Sequence, residues 1–515
     1  MFAMFRLLCF SIIVAVANSA NIFAIFSVPS ISHQLVFQPI WRELSLRGHK
    51  VTVVTPNPLN DPTLTNLTEI NVSYVYGTVS LQFLIDNSNL MPDQLVSMSV
   101  DHYVKPLIES QLNHSDVMKI LKDNNSHFDL VISEMICSPA FGFAYKFNAP
   151  LVGMLSFSDL SAAFLAIGNP LHPILNPDML LGYGKQLSFW QRVMSTYSQI
   201  RYVLRYDYEI MPELDRIARK YFGDDMPYLG DIEKNVSIIL TTHNFITSKP
   251  KPTVPALIEI GNVHLKKNVK LPQDLQKELD KATNGVIYFS LGSNVKSANI
   301  SSQLRNVIIS SFAELPYTIL WKWETDHLPG KPDNVITRKW LPQEAVLAHP
   351  NVKAFITQGG LQSMEEAIYY RKPLIGMPFF ADQMKNVRSI AEHGIGVALN
   401  TDTLTKEKLK SAILEVVNDK KYKEKISELS DLMWDQPMSG LDTAIWWIEY
   451  VIRHKGAKHL RSPLLDLPLY QYLLLDVLAF VFGVIATTLG LLYAAYIYTK
   501  PVIQGVVGKN KVKSN

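Results

Sequence analysis

The chain is poor in cysteine: of its 515 residues only Cys9 and Cys137 carry a thiol. An apolar run from Leu7 to Ala17 follows Arg6 and ends in the small-residue stretch "ANSA", which permits cleavage after Ser19 or Ala20. Residues 1–20 therefore read as a secretory signal peptide, and Cys9 leaves with it. The mature chain is expected to hold no internal disulfide, so its stability must come from a packed core. Charge of either sign is also not in excess, with 49 Lys and Arg against 46 Asp and Glu and a net charge of +3. That balance argues against a nucleic-acid binder. No set of His, Cys and carboxylates recurs at metal-ligand spacing, so no metal site is expected.

Long uncharged runs are scarce except at the far end. "YLLLDVLAFVFGVIATTLGLLYAAYIY", Tyr472 to Tyr498, has one charge, Asp476, near its start. The apolar run beyond Asp476 is long enough for the roughly 20 residues that a bilayer core requires, so 472–498 reads as a transmembrane helix. Lys500, Lys509, Lys511 and Lys513 come after it. The positive-inside rule then puts the tail 499–515 in the cytosol and the preceding chain in the lumen, a single-pass type I arrangement. Lys511 and Lys513, fifth and third from the end, resemble a dilysine retrieval pattern of the endoplasmic reticulum; a solvated basic tail is the alternative. Lumenal placement makes Asn66, Asn71, Asn113, Asn124, Asn235 and Asn299 six sequons open to glycosylation.

Between the ends, short apolar runs alternate with longer mixed segments, the pattern of α/β units with parallel sheets. In the first half these are Asn21 to Val28, His49 to Thr55, Asp129 to Ser133 and Pro150 to Leu155. In the second they are Gly285 to Leu291, Thr318 to Trp323, Val352 to Thr357 and Pro373 to Pro378. The proline-rich "TSKPKPTVP" between the halves suits an extended connector. The expected organisation is two doubly wound domains, 21–248 and 256–455, joined by linker 249–255. A juxtamembrane segment, 456–471, leads to the span, and ligands belong at the C-terminal ends of the strands. In Leu187 to Tyr206 apolar residues recur at helical spacing with Arg192, Arg201 and Arg205 among them. Such a stripe usually packs on the domain; a helix lying in the membrane interface is the other reading.

Four stretches sit at or beyond the ends of the second-half strands: "FSLGS", "KWLPQ", "AFITQGGLQSMEEA" and "GMPFFADQ". The paired Gly359 and Gly360 lie between a strand and a helix, an arrangement that offers backbone N–H groups to an anion. In this order and spacing the motifs resemble those of the UDP-glycosyltransferases, in the membrane-anchored animal branch that includes the UDP-glucuronosyltransferases. The resemblance runs from signal peptide to lysine tail and implies two facing Rossmann-like domains of the GT-B type.

The resemblance also implies roles. Trp340 stacks on uracil and Gln343 meets its edge. The diphosphate lies over Gly359 and Gly360 with help from Ser290 and Gln362. Gln358 stands where the family usually has His, which removes a group able to become cationic but leaves the backbone donors. Glu366 accepts from the ribose hydroxyls, although Ser363 and Glu366 also spell a capping box that would start the helix a turn later. Asp382 and Gln383 hold the sugar, with N-capping the alternative for Asp382. His33 is the general base for the acceptor hydroxyl. Glu134 is its orienting partner where the family has Asp, one methylene shorter, while Asp129, at the far rim of the same strand, is structural.

The implied activity is an inverting transfer of a hexose, glucose ahead of glucuronate, from a UDP-sugar to a hydroxyl of a small lipophilic acceptor. The UDP-sugar is a co-substrate, and no cofactor is expected. The acceptor pocket belongs to Leu81–Tyr206; a homo-oligomer stays open. The alternative is a membrane-tethered binding protein that has lost transfer.

Overall fold

The computed structural model describes residues 19–512 except 81–82, 84–85, 88–89, 158, 245, 249 and 267. The expected signal peptide falls outside these up to residue 18, as do residue 249 of the linker and Lys513 of the tail.

Residues up to Arg461 form one compact unit holding two parallel sheets. The first has seven strands: β1 (Asn21–Ile25), β2 (Lys50–Thr55), β3 (Leu67–Asn71), β4 (Leu130–Glu134), β5 (Leu151–Leu155), β6 (Ile238–Thr241) and β7 (Leu257–Glu259). Their spatial order is β3-β2-β1-β4-β5-β6-β7. The second has six: β8 (Val286–Ser290), β9 (Thr318–Lys322), β10 (Val335–Arg338), β11 (Val352–Thr357), β12 (Leu374–Gly376) and β13 (Gly396–Ala398). They run β10-β9-β8-β11-β12-β13. In both sheets the chain winds outward one way and then the other, so the order reverses between β1 and β4 and again between β8 and β11. Doubly wound folds bind ligands at such switch points.

Alternation along β1 shows why the sheet is covered on both faces. Ile22 and Ala24 pack with Val36, Phe37, Trp41 and Leu44 of the Ile31–Leu46 helix. Phe23 and Ile25 point to the other side, into a cluster with Leu107 and Phe143. Strands buried on both faces read as continuous apolar runs, which is how the sequence displays them.

The expected domain boundary at 256 moves, because β7 pairs with β6 and so belongs to the first sheet. The Gly440–His454 helix moves with it, burying Ala444, Ile445, Ile448 and Val451 among the residues of β1 and Trp41. Residues of the expected second domain thus complete the first from both ends.

The Phe189–Arg205 helix overturns the packing expectation for its apolar stripe. Phe189, Val193, Tyr197, Ile200 and Leu204 are exposed, and Trp190 is 72% exposed. The buried side is polar, formed by Ser195, Ser198 and Tyr202. Arg201 and Arg205 dock the helix by pairing with the fully buried carboxylate of Asp93. A buried carboxylate needs such partners, and they decide which face turns inward.

Cys137, the one thiol among the described residues, is fully buried three positions beyond the end of β4. Burial holds it well above the usual thiol range. All six sequon asparagines are exposed.

Ser462–Asn515 forms a separate unit. Its long helix is Leu475–Val512, starting three residues after the expected 472 and continuing through Pro501 beyond 498. Leu475–Gly505 is long and apolar enough to cross a membrane.

Candidate active site

At the first switch point, the loop after β1 turns at Val28–Ser30 into the Ile31–Leu46 helix, whose third residue is His33. Gln34 braces the loop, donating to the Val28 carbonyl at 3.0 Å and accepting from Thr55 Oγ1 at 2.8 Å. Glu134 ends the neighbouring β4 with no exposed surface. Its Oε1 lies 2.7 Å from His33 Nδ1 and its Oε2 accepts the Val28 N–H at 3.1 Å. A carboxylate only accepts, so the imidazole proton sits on Nδ1 and leaves Nε2 with a lone pair. Glu in place of the family's Asp does not break the pair, because the longer side chain reaches both partners. The Phe157 ring meets His33 edge-on, with centroids 4.8 Å apart and planes at 88°. Asp129 is at the other end of β4, where it accepts the Asn21 N–H.

His33 opens onto a cavity of about 530 Å³ between the two sheets, within the usual range for small-molecule sites. From the second sheet Ser290, Trp340, Gln343 and Gln358 line it, together with Gly360, Gln362 and Glu366 and, at one side, Asp382 and Gln383. All of these are site residues expected from the sequence, and the fold brings them together. Glu134 and Gly359 stand just behind the wall.

Trp340 is 57% exposed, with the Lys322 ammonium 5.5 Å from its ring centroid. Gln343, expected at the uracil edge, makes three hydrogen bonds within the protein. Its oxygen accepts from Tyr288 at 3.0 Å, and its amide nitrogen donates to Ser363 Oγ and Glu366 Oε2, both at 2.8 Å. Both ends of the amide are engaged within the protein, and the engagement holds Glu366 in place.

The Leu361–Tyr369 helix begins directly after Gly360, its N-cap. That start excludes the capping box of Ser363 and Glu366 and aims the first-turn N–H groups at the cavity. Gly359 has φ +85°, and a Cβ there would lie 2.5 Å from Val387 Cγ2. The position requires glycine for its left-handed backbone and for its close approach to a neighbouring helix. Gln358 is buried beside Gly292, and Ser290 Oγ accepts the Gly292 N–H at 3.3 Å. Gln362 is not turned wholly to the loop: its Nε2 donates to the Ser156 carbonyl of the first sheet at 3.0 Å.

Glu366 is buried, and burial pushes its carboxyl up to about 8. His264 lies behind it, its ring nitrogens 3.7 Å from Glu365 and 3.8 Å from Glu366. Asp382 occupies the N-cap position of the Gln383–Glu392 helix but makes no side-chain cap. Its Oδ2 accepts instead from Asn386 Nδ2 at 2.7 Å, and the same amide donates to the Gly359 carbonyl at 2.9 Å. Asn386 thus ties the Asp382 carboxylate to the glycine loop. Gln383 Oε1 accepts the Phe379 and Phe380 N–H groups at 2.9 and 3.1 Å. This clamp closes the turn in which Ala381 takes φ +54°, an unfavourable conformation retained at the site.

Sequence reasoning missed Lys322, Asn386 and Phe157. Lys322 was visible as a lysine ending an apolar strand, and Asn386 as the residue one helical turn after Asp382. Phe157 carried no signal.

The family described as UDP-glucoronosyl and UDP-glucosyl transferase matches residues 24–511. The chain belongs to this family of UDP-glycosyltransferases. As one of them it is 38% identical to UDP-glucosyltransferase 2 of Dactylopius coccus over 92% of this chain and 93% of that one. It is 31% identical to UDP-glucuronosyltransferase 2B9 of Macaca fascicularis over 89% of each. Two solved structures share the fold. The glycosyltransferase VinC in complex with DTDP has a TM-score of 0.58 at 16% identity, over 85% of this chain and 100% of that one. TcCGT1 in complex with UDP has 0.54 at 14% identity, over 85% and 100%. The UDP-glycosyltransferase here is therefore an enzyme of GT-B architecture.

Proposed function

We propose that the enzyme transfers glucose from UDP-glucose to a hydroxyl of a small lipophilic acceptor, with inversion at the anomeric carbon. The observation that carries this reading is the His33–Glu134 pair opening onto the cavity that the donor motifs line. His33 Nε2 takes the hydroxyl proton as the oxygen attacks the anomeric carbon. Glu134 stabilises the resulting imidazolium, and the bond to the β-phosphate breaks. UDP leaves into the Gly359–Gly360 loop, where N–H groups and the helix N-terminus meet its growing charge. Trp340 stacks on the uracil, Gln343 holds Glu366 against the ribose, and Asp382 and Gln383 take the sugar hydroxyls. Glucose is favoured over glucuronate by the likeness to a UDP-glucosyltransferase. Lys385, the cation nearest Asp382 in sequence, pairs with Asp159, so it is not offered to a sugar carboxylate. Leu475–Gly505 would anchor the enzyme in the endoplasmic reticulum membrane with both sheets lumenal, where detoxification of lipophilic compounds is a fitting role.

The test is UDP release by the full chain in detergent with UDP-glucose or UDP-glucuronate and a panel of phenols and steroids. Turnover with UDP-glucose is expected. UDP binding without turnover of either donor would instead make the chain a binding protein.

Two further outcomes are expected. Trp340→Ala removes a stack worth about 1–3 kcal/mol, so donor KM rises about fivefold to 150-fold with kcat nearly unchanged. An unaltered KM would place the uracil elsewhere. The second concerns pH. Glu366 accepts ribose hydroxyls as a carboxylate, a form present above its raised pKa of about 8 and lost as pH falls below it. Donor KM should therefore fall by roughly tenfold between about pH 7 and pH 9. In Glu366→Gln the profile should be flat over the same range; a slope surviving there would assign the titration to another group.

A further inference from the structure

Two hydrogen bonds cross the cleft on either side of His33. Ser30 Oγ, at the N-cap of the His33 helix, donates to Asn294 Oδ1 at 3.1 Å. On the other side Gln362 Nε2 donates to the Ser156 carbonyl at 3.0 Å. These two residues lie 206 positions apart in sequence, one in the first turn after the glycine loop and the other just past β5. The residue following Ser156 is Phe157, whose ring stands edge-on to the His33 imidazole. Phe157 is fixed from behind as well, its carbonyl accepting from Thr241 Oγ1 at 2.9 Å.

We propose that Gln362 is a positioning residue that fixes His33 through Ser156 and Phe157, coupling the seated donor loop to the base in the other domain. The inference rests on His33 being the base. Glu134 holds the imidazole at one nitrogen, which leaves the ring free to pivot about that hydrogen bond. An edge-on aromatic contact removes the pivot by fixing the ring plane. The Phe157 ring has a defined place only while the backbone at Ser156 does. The Ser156 carbonyl is held by an amide on the helix whose N-terminus receives the diphosphate. Donor seating therefore orders the line from glycine loop to imidazole, and Nε2 is aimed when there is an anomeric carbon to attack. A displacement of about 1 Å in a reacting group costs on the order of a hundredfold in rate, so one such contact is enough to matter.

The role differs from the phosphate contact expected of Gln362, and kinetics separate the two. In Gln362→Leu, which keeps the bulk and loses the donor, kcat should fall about tenfold while UDP affinity by calorimetry stays within about threefold. Phe157→Leu should lower kcat by a similar factor. Both should move the acidic limb of the kcat pH profile, which a general loosening of the fold would leave in place. The double variant should be no slower than the worse single one, because both substitutions break the same line. Gln362→Asn, whose amide stops a methylene short of Ser156, should behave as the Leu variant does and serves if that one does not fold. The proposal is overturned if Gln362→Leu weakens UDP binding tenfold with kcat intact, or if the two substitutions multiply. Wild-type enzyme that turns over normally while His33→Ala also turns over would remove the base itself, a distinct result that ends both readings.

Discussion

His33→Ala should lower kcat for transfer by about 10²–10⁴-fold and leave UDP affinity within about twofold, since a general base acts on the acceptor proton and not on the nucleotide. Glu134→Gln should follow closely. The amide would offer a donor or an acceptor at the place where the structure has a carboxylate accepting from His33 Nδ1 and from the Val28 N–H. A Gln oxygen can satisfy only one of these, and a Gln nitrogen facing Nδ1 would favour the tautomer with its proton on Nε2, where the lone pair is needed. Glu134→Asp distinguishes charge from reach. It keeps the anion but withdraws it by about one C–C bond, roughly 1.5 Å, from a contact now at 2.7 Å. Rates for the three variants with one donor and one phenol, beside calorimetric UDP titrations, decide the matter. Retention of more than about a tenth of wild-type kcat in His33→Ala would assign the base elsewhere.

Gly359→Ala should be the most damaging change in the donor half. The new methyl would have to occupy a left-handed backbone, φ +85°, and meet Val387 Cγ2 at 2.5 Å. Strain of about 1–3 kcal/mol and overpacking of similar size act at one point. Val387 sits on the Gln383–Glu392 helix, so relief by shifting that helix would displace Gln383 and the Asn386 amide that bridges Gly359 to Asp382. Donor KM should rise by at least about a hundredfold. Thermal melting alongside separates a lost site from a lost fold: a variant melting near wild type with a KM within threefold would show that the loop does not carry the diphosphate. Gly360 makes a contrast within the same motif, because its φ of −62° is open to any residue.

How much of this was legible varies by element for physical reasons. β1, β4, β8 and β11 flank the two switch points and are buried on both faces, so they stand out as apolar runs. The edges did not: β3 carries Thr68, Glu69 and Asn71 and buries only Ile70, and β7 and β13 are three residues each. β7 could not be assigned because only its pairing with β6 shows which sheet it joins. In the candidate site, His33, Glu134 and the glycine pair lie at or just past strand ends, as their places in the sequence led one to expect. Gln343 and Gln362 line the same cavity, and their protein partners were not legible because those depend on which side chains approach from distant segments. The stripe of the Phe189–Arg205 helix misled for a related reason. Periodicity marks one apolar face, but the ion pairs of Arg201 and Arg205 with buried Asp93 decide that the face turns outward.

The one thiol among the described residues has a practical consequence. Cys137 is sealed within the first sheet's core, and its backbone N–H bonds the carbonyl of Glu134 at 3.3 Å. An alkylating reagent can reach the sulfur only when the chain just past β4 has come away from the sheet. The rate of labelling is then a stopwatch on the opening of the segment that carries Glu134, read at a native residue. Because Cys137 is the one thiol among the described residues, that labelling is read on a single channel.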